Sequence, residues 1–372
     1  MAEMFIGLMS GTSVDAVDAA LVDFSGPFPA LVASCTYPIE PDLRHALLAL
    51  AEDRIERAID RLGELDVTVA ERFAAAVRQL LADAGVPASE VTAIGSHGQT
   101  VRHRPTGPAP FTLQIGDPNI IAERTGITTV ADFRRRDLAA GGQGAPLAPA
   151  FHAAVFRSEQ EDRVVVNVGG MANITILPAD RSAAVSGFDT GPGNALLDAW
   201  IGRHRDAPFD RDGAWAADGR IWPELLERLL AEPYFAADPP KSTGREQFHL
   251  RWVDAALAEL ENPRPAIDVQ TTLCALTAQT IAAAIERHAP AATRVLICGG
   301  GAYNGELMRR LDARLGSRTV ETTAAYGVAP EWVEAVAFAW LARQTLAGRP
   351  GNLPSVTGAR AERVLGAIYR GS

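Results

Sequence analysis

The chain has 372 residues, 47% of them hydrophobic and 22% charged, and a formal net charge of −10. That length carries two domains with full cores. The acidity argues against a nucleic-acid partner, and no apolar run approaches the ~20 residues of a membrane span. Cys35, Cys274 and Cys298 lie far apart in apolar runs and are odd in number. They read as buried thiols in a reducing compartment, not as a disulfide framework or metal site. Strand-like sequence begins by Met4 without a leader pattern, so a cytoplasmic location is expected.

The first lobe is predicted to open with strands at Met4–Met9, Ala19–Val22 and Leu31–Thr36. Helical sequence follows at Asp42–Leu50 and, with Phe73, Val77, Leu80 and Leu81 at helical spacing, at Glu71–Ala84. Val91–Ile94, Phe111–Ile115 and Thr128–Val130 read as further strands. The glycine- and proline-rich stretch Arg134–Pro149 reads as the hinge, dividing a first lobe (1–140 plus about 331–372) from a second (141–330). The second lobe repeats the logic with a hairpin at 163–177 and helices at Ala195–Arg203, Trp222–Ala231, Leu250–Leu260 and Thr271–Arg287. A buried strand at Val295–Cys298 precedes helices at Glu306–Leu315 and Glu331–Leu346. Alternating strands and helices imply an α/β architecture.

One feature occurs twice. Met4–Met9 runs into Ser10-Gly11-Thr12-Ser13-Val14-Asp15-Ala16-Val17-Asp18, and Arg163–Val168 runs into Gly169-Gly170-Met171-Ala172-Asn173. Both read as strand, polar glycine-rich turn, strand. Such tips offer N–H groups and hydroxyls to an anion, and two facing copies would hold a polyphosphate in a two-lobed phosphotransferase. Asp15 and Asp18 suit this if a Mg²⁺ held through water stands between carboxylate and phosphate. An ordinary hairpin with polar turn residues is the alternative.

Four further constellations carry chemistry. Asp189 ends a strand before Gly191-Pro192-Gly193-Asn194 and reads as a general base or as an Asx-type turn, with Asn194 capping the next helix. Beside two phosphate-type turns the base reading leads. Gly299-Gly300-Gly301 with Asn304 suits a flat ring or ribose, or is simply a tight strand–helix turn. His97 and Gln99, in Ser96–Thr100, read sugar hydroxyls or an amide, or sit in a locally satisfied loop. Arg134 holds a substrate carboxylate or belongs to a solvated charge run. Glu331 and Glu334 suit a helix dipole. The loop Lys241–Glu246, with the only lysine, is the other place for a phosphate contact.

Taken together, Gly7–Asp18, Ser96–Thr100, Asn167–Asn173, Phe188–Pro192, Cys298–Asn304 and Pro350–Ala359 resemble the anhydro-N-acetylmuramic acid kinases, in family order and across essentially the whole chain. Ala16 and Val14 depart from the glycine and leucine common there. The resemblance implies the actin, sugar-kinase and Hsp70 type of fold, two ribonuclease H-like lobes with an interlobe cleft that closes over ATP and Mg²⁺. It implies ATP-dependent hydrolytic opening of 1,6-anhydro-N-acetylmuramic acid and phosphorylation of O6 in peptidoglycan recycling. Asp189 would be the base. Ser10 to Asp18 with Gly169, Gly170, Asn173, Gly191 and Gly193 would hold phosphates, and Gly299, Gly300, Gly301 and Asn304 the nucleoside. His97, Gln99, Arg134 and Glu334 would hold the sugar, and Asp15 the Mg²⁺ through water. A homodimer is expected, with no nucleic-acid or membrane partner. The rivals are another sugar or carboxylate kinase of this fold and a non-enzymatic actin- or Hsp70-like nucleotide switch.

Overall fold

The structure is a computed structural model and describes residues 3–11, 13–52 and 57–372. Thr12, expected among the phosphate contacts, lies outside them. Packing divides the chain into two units. One runs to Val155 and resumes at Tyr326–Val328 and Trp332–Ser372; the other is Phe156–Ala325 with Ala329–Glu331. The helix Ala148–Phe156 packs into the first unit through Phe151, whose ring meets Trp340 edge-on at 6.0 Å.

The first unit is built on β1 (Met4–Met9), β2 (Ala16–Asp23), β3 (Ala30–Pro38), β4 (Val91–Ser96) and β7 (Thr129–Ala131). A side hairpin of β5 (Gln99–Arg104) and β6 (Phe111–Ile115) is inserted between the last two. A late strand, β13 (Ala367–Tyr369), pairs antiparallel with β7. The order is β13-β7-β4-β1-β2-β3. β1 is antiparallel to β2, with Met9 opposite Asp18, and parallel to β4. Neighbouring side chains on a strand point to opposite faces. Ile6, Leu8 and Ile94 therefore pack with Leu65, Val69, Phe73, Val77 and Leu80 of the helix Ala58–Ala84. Gly7 and Gly95 face the other way, onto the helix Val333–Leu346.

The second unit holds β8 (Arg163–Val168), β9 (Met171–Leu177), β10 (Ser186–Pro192), β11 (Arg294–Cys298) and β12 (Thr319–Thr322), ordered β10-β9-β8-β11-β12. β8 is antiparallel to β9, β9 to β10, and β11 is parallel to both β8 and β12. The helix Ala266–His288 packs on this sheet with Leu196, Leu197 and Trp200 of Ala195–Arg205 and Leu307 and Leu311 of Gly305–Leu315. In each unit the strands follow the order third, second, first, fourth, fifth, with the same senses. That is the duplicated α/β fold expected from the sequence.

Three differences from the sequence reading have physical causes. The helix expected at Glu71–Ala84 begins at Ala58, because Leu65 and Val69 continue the buried stripe through a mostly polar segment. Gln99–Arg104 and Ala367–Tyr369 are strands whose pairing partners, not their own composition, fix them. Cys35 is only half-buried, whereas Cys274 and Cys298 are buried. Among the described residues no helix is long and apolar enough to cross a membrane.

A Cβ on Gly7 would stand 1.8 Å from the Ala335 carbonyl oxygen, and one on Gly95 2.0 Å from that of Phe338. Backbone cannot give way as a side-chain tip can. Gly7→Ala and Gly95→Ala are each expected to cost about 3 kcal/mol. Gly63→Ala, on a helical position with open space around it, is expected to add about 0.5–1 kcal/mol. Urea unfolding midpoints of the three variants check this.

Candidate active site

In the first unit the β1–β2 turn is knitted from within. The Val14 N–H donates to Gly11 O at 3.3 Å, Ser10 Oγ to Ala16 O at 2.9 Å and Ser13 Oγ to Asp15 Oδ1 at 2.6 Å. Thr36 Oγ1 donates to Asp18 Oδ1 at 2.9 Å. The left-handed residue of the turn is Val14 (φ 53°), an unfavourable conformation for a β-branched residue. Its side chain and that of Val17 enter the core, so these two can meet a ligand only through backbone.

Beside this turn lies a cavity of about 250 Å³ whose lining includes Ser10, Gly11, His97, Gln99, Gln114 and Arg134. β4 delivers His97 at its end, where the His97 N–H donates to Leu8 O. Gln99 Nε2 donates to Gly11 O at 3.3 Å, tying the β5 hairpin to the turn. Arg134 donates from Nε (3.1 Å) and Nη2 (2.9 Å) to His97 Nε2, and from Nη1 to Gly144 O at 2.8 Å. A guanidinium only donates, so His97 Nε2 is a lone-pair acceptor and the ring proton sits on Nδ1. Burial, reinforced by the Arg134 charge, drives the His97 pKa well below the usual histidine range. Burial also lowers the Arg134 pKa to about 10, against the carboxylates of Glu334 and Asp137. Among the described residues, one N–H on each Arg134 Nη has no acceptor and is left for an incoming one. Glu334 opens the helix Val333–Leu346 and does not line this cavity. Glu334 is exposed at the start of that helix; the protein around it raises its carboxyl and Arg134 pulls it down, so the two are electrostatic neighbours.

In the second unit the hairpin tip Gly169–Gly170 is bound to the start of the helix Ala195–Arg205. The N–H groups of Gly193 and Ala195 donate to Gly170 O, and that of Asn194 to Gly169 O. The Asn194 side chain makes no cap; its Nδ2 donates to Val168 O at 3.2 Å. Asp189 lies on β10 opposite Asn173, where a register shift between Asp189 and Gly191 marks a bulge. Bulges re-aim side chains. Asp189 Oδ2 accepts the Thr243 N–H at 3.0 Å, while Oδ1 has no hydrogen-bond partner among the described residues. Burial raises the Asp189 pKa, the Thr243 N–H lowers it and Glu246 raises it.

A larger cavity of about 540 Å³ is lined by Asn194, Asp198, Phe209, Asp210, Gly300, Tyr303, Asn304 and neighbours. Phe209 is half-exposed there and offers a flat apolar face. Asn304 lines the cavity but also caps the helix Gly305–Leu315, its Oδ1 accepting the Leu307 N–H at 3.0 Å. Gly299 and Gly301 turn toward Val168 instead: a Cβ on Gly301 would stand 2.4 Å from Val168 Cγ1. Gly191 faces Phe235.

Sequence reasoning missed Asp198, whose carboxyl burial raises to about 6 against the pull of Arg245. It placed Arg245 in a polar loop read only as another place for a phosphate contact. The structure sets the Arg245 Nη2 3.6 Å from the point where a Cβ on Gly170 would sit, directly over the second glycine turn. No local signal links residues so far apart in sequence. Among the described residues no group of three or more His, Cys, Asp or Glu can hold a metal.

Paired anion-type turns on duplicated sheets, with a strand-end carboxylate in one unit and a half-buried arginine in the other, are the equipment of a phosphotransferase of the sugar-kinase kind. Residues 3–371 match the family model for Anhydro-N-acetylmuramic acid kinase, and the chain belongs to that family. The protein of that name from Xanthomonas campestris pv. campestris is 57% identical over 98% of this chain and 97% of its own. The one from Xylella fastidiosa is 54% identical over 99% and 96%. Among solved structures, the activator of the 2-hydroxyisocaproyl-CoA dehydratase from Clostridium difficile with bound ADPNP aligns with a TM-score of 0.44 and 11% identity, over 91% of this chain and 93% of that one. As a member of the anhydro-N-acetylmuramic acid kinase family, the chain is a kinase.

His97 is expected to stay neutral, with its proton on Nδ1, far below the ordinary histidine pKa of ~6.5. Imidazole ¹⁵N shifts followed across pH check this. Titration of His97 near the ordinary value would contradict the Arg134–His97 arrangement.

Proposed function

We propose that the chain opens 1,6-anhydro-N-acetylmuramic acid with water and transfers the γ-phosphoryl group of ATP to O6, giving N-acetylmuramic acid 6-phosphate and ADP. The observation that carries this, on a chain of that family, is Asp189: one carboxylate oxygen fixed by a backbone donor, the other open, and a raised pKa. A desolvated carboxylate with an open oxygen is a stronger proton acceptor than a solvated one. Asp189 Oδ1 takes a proton from water as the water oxygen bonds to C1. The C1–O6 bond breaks, O6 bonds to the γ-phosphorus, and ADP leaves with the bond electrons.

The other roles follow from charge and donor count. Gly11, Ser13 and the backbone from Val14 to Asp18 in the first unit, and Gly169, Gly170, Asn173 and Gly193 in the second, supply phosphate contacts. Arg245 adds a guanidinium at the second turn, where charge on the transferring group needs offsetting. Phe209 with Gly300 and Asn304 receives the nucleoside. The remaining Arg134 N–H groups meet the lactyl carboxylate of the sugar, and His97 and Gln99 meet its hydroxyl and amide groups, while Glu334, outside the cavity lining, acts through the charge of Arg134. Asp15, exposed at the turn with one oxygen unpartnered among the described residues, fits a hydrated Mg²⁺; the hard oxygen donors are of the right type. When bound, that ion would offset phosphate charge. The same reading assigns a cytoplasmic homodimer acting in peptidoglycan recycling.

Asp189→Asn is expected to bind both substrates and lose kcat by several orders of magnitude. Retention of near-normal kcat would remove Asp189 from the base role. Arg134→Ala is expected to raise KM for the sugar by ~10-fold or more, with KM for ATP nearly unchanged. Incubation with ATP, Mg²⁺ and the anhydro sugar in ¹⁸O water is expected to label the anomeric hydroxyl and leave phosphate on O6. Turnover of other sugars but not this one would favour a different kinase of the same fold.

The sign of the pH dependence follows from the raised Asp189 pKa. The protonated form is inactive, so kcat falls as pH drops through that pKa. The acid limb is expected above ~4, the ordinary aspartate value.

A further inference from the structure

The loop Lys241–Glu246, expected from the sequence only as another place for a phosphate contact, wraps around Asp189. The Asp189 N–H donates to Lys241 O at 3.3 Å, and the Thr243 N–H donates to Asp189 Oδ2 at 3.0 Å. Tyr234 Oη donates to Asp189 O at 2.8 Å. Lys241 Nζ closes the ring by donating to Tyr234 O at 3.0 Å and Phe235 O at 3.4 Å, in the turn Pro233–Ala236. The ammonium lies 4.7 Å from the centre of the Tyr234 ring and 5.7 Å from that of Phe188, the residue before Asp189. The chain's only lysine is therefore spent on carbonyl oxygens and aromatic faces, not on a carboxylate.

We propose that Lys241 is a positioning residue for the proposed base: by pinning its loop to the Tyr234 turn it holds the Thr243 N–H on Asp189 Oδ2 and leaves Oδ1 as the proton-accepting oxygen. The proposal rests on the reading of Asp189 as base. Without the pin, the hydrogen bonds left to the 241–243 segment among the described residues are the Lys241 carbonyl and the Thr243 N–H to Asp189 itself, and Thr243 Oγ1 to Gln247 Oε1 at 2.8 Å. Loss of the Thr243 donor removes the one interaction that lowers the Asp189 pKa, while burial and Glu246 continue to raise it. Glu246 and the Tyr234 phenol are the titratable groups facing Asp189. Arg287, Asp238 and His288 stand around Lys241.

The test compares Lys241→Met, Lys241→Arg and Asp189→Asn in the full chain, with ATP and the anhydro sugar. Lys241→Met keeps the unbranched stem and removes the ammonium. Its kcat is expected to fall ~10–100-fold with both KM values within ~3-fold, the pattern of a misplaced group and not of lost binding. Its acid limb is expected to move up by ~0.5–1 pH unit. Lys241→Arg keeps a cation on the carbonyls and is expected to restore the limb. Because one lysine is present, acetylating the folded protein and then reversing tyrosine esters with hydroxylamine leaves Lys241 and the α-amino group as the modified amines, with modification of Lys241 verified by mass spectrometry, and Lys241→Arg serves as the α-amino control. Acetylated wild type is expected to reproduce the limb shift and the control is not, so the experiment stands even if Lys241→Met fails to fold. An unchanged limb and kcat in the acetylated protein, with Asp189→Asn inactive, would overturn the role of Lys241 and leave the base reading intact. An active Asp189→Asn would overturn the base reading itself.

Discussion

The first unit depends on a place where a helix meets bare strand backbone. Gly7 on β1 and Gly95 on β4 have no side chain to hold the helix Val333–Leu346 away, and that helix settles against them. The approach brings Phe338 to 4.7 Å from the His97 ring and 5.7 Å from Phe133. It also brings Glu334, in the first turn, into the field of Arg134 and Asp18. His97 is 6% exposed as a result. A histidine so buried next to a guanidinium is neutral, and only a neutral ring can accept the two Arg134 donors. Packing thus fixes protonation, and protonation fixes the arginine.

The second unit reaches a comparable end with the opposite charge. Its key group is a carboxylate left between two pulls, desolvation upward and a single backbone N–H downward. A strand bulge aims it and a loop from fifty residues away supplies the donor. Neither device needs a second charged side chain at bonding distance. That suits a base, since a permanent ion pair would hold the carboxylate down and weaken it as a proton acceptor.

Much of this was legible in the sequence. The paired strand–turn–strand units, the alternation of strands and helices, and Asp189 as a strand-end carboxylate were read from apolar runs broken by glycine and hydroxyl residues. What the sequence hid is what depends on distant partners. Ala58–Gly63 lacks an apolar stripe and is helical because the later turns of the same helix are buried. Ala367–Tyr369 is three residues long and is a strand only because β7 offers an open edge. Arg245 and Thr243 lie in a polar loop with no periodicity, and their meeting with Gly170 and Asp189 is a tertiary fact. Asn304 was read as a nucleoside contact on its glycine company; the structure adds that the same side chain caps a helix. Such double use cannot be seen in composition.

The two units differ in how the chain supplies them. The second is nearly continuous, Phe156–Ala325, while the first waits for Trp332–Ser372. During synthesis the later-starting unit therefore finishes first. Until the helix Val333–Leu346 emerges, the face of β1 and β4 that it covers stays open, with apolar neighbours such as Phe133 unshielded. The nascent chain then carries a completed half beside an unfinished one, and it is the unfinished half that would call on a holdase at the ribosome exit.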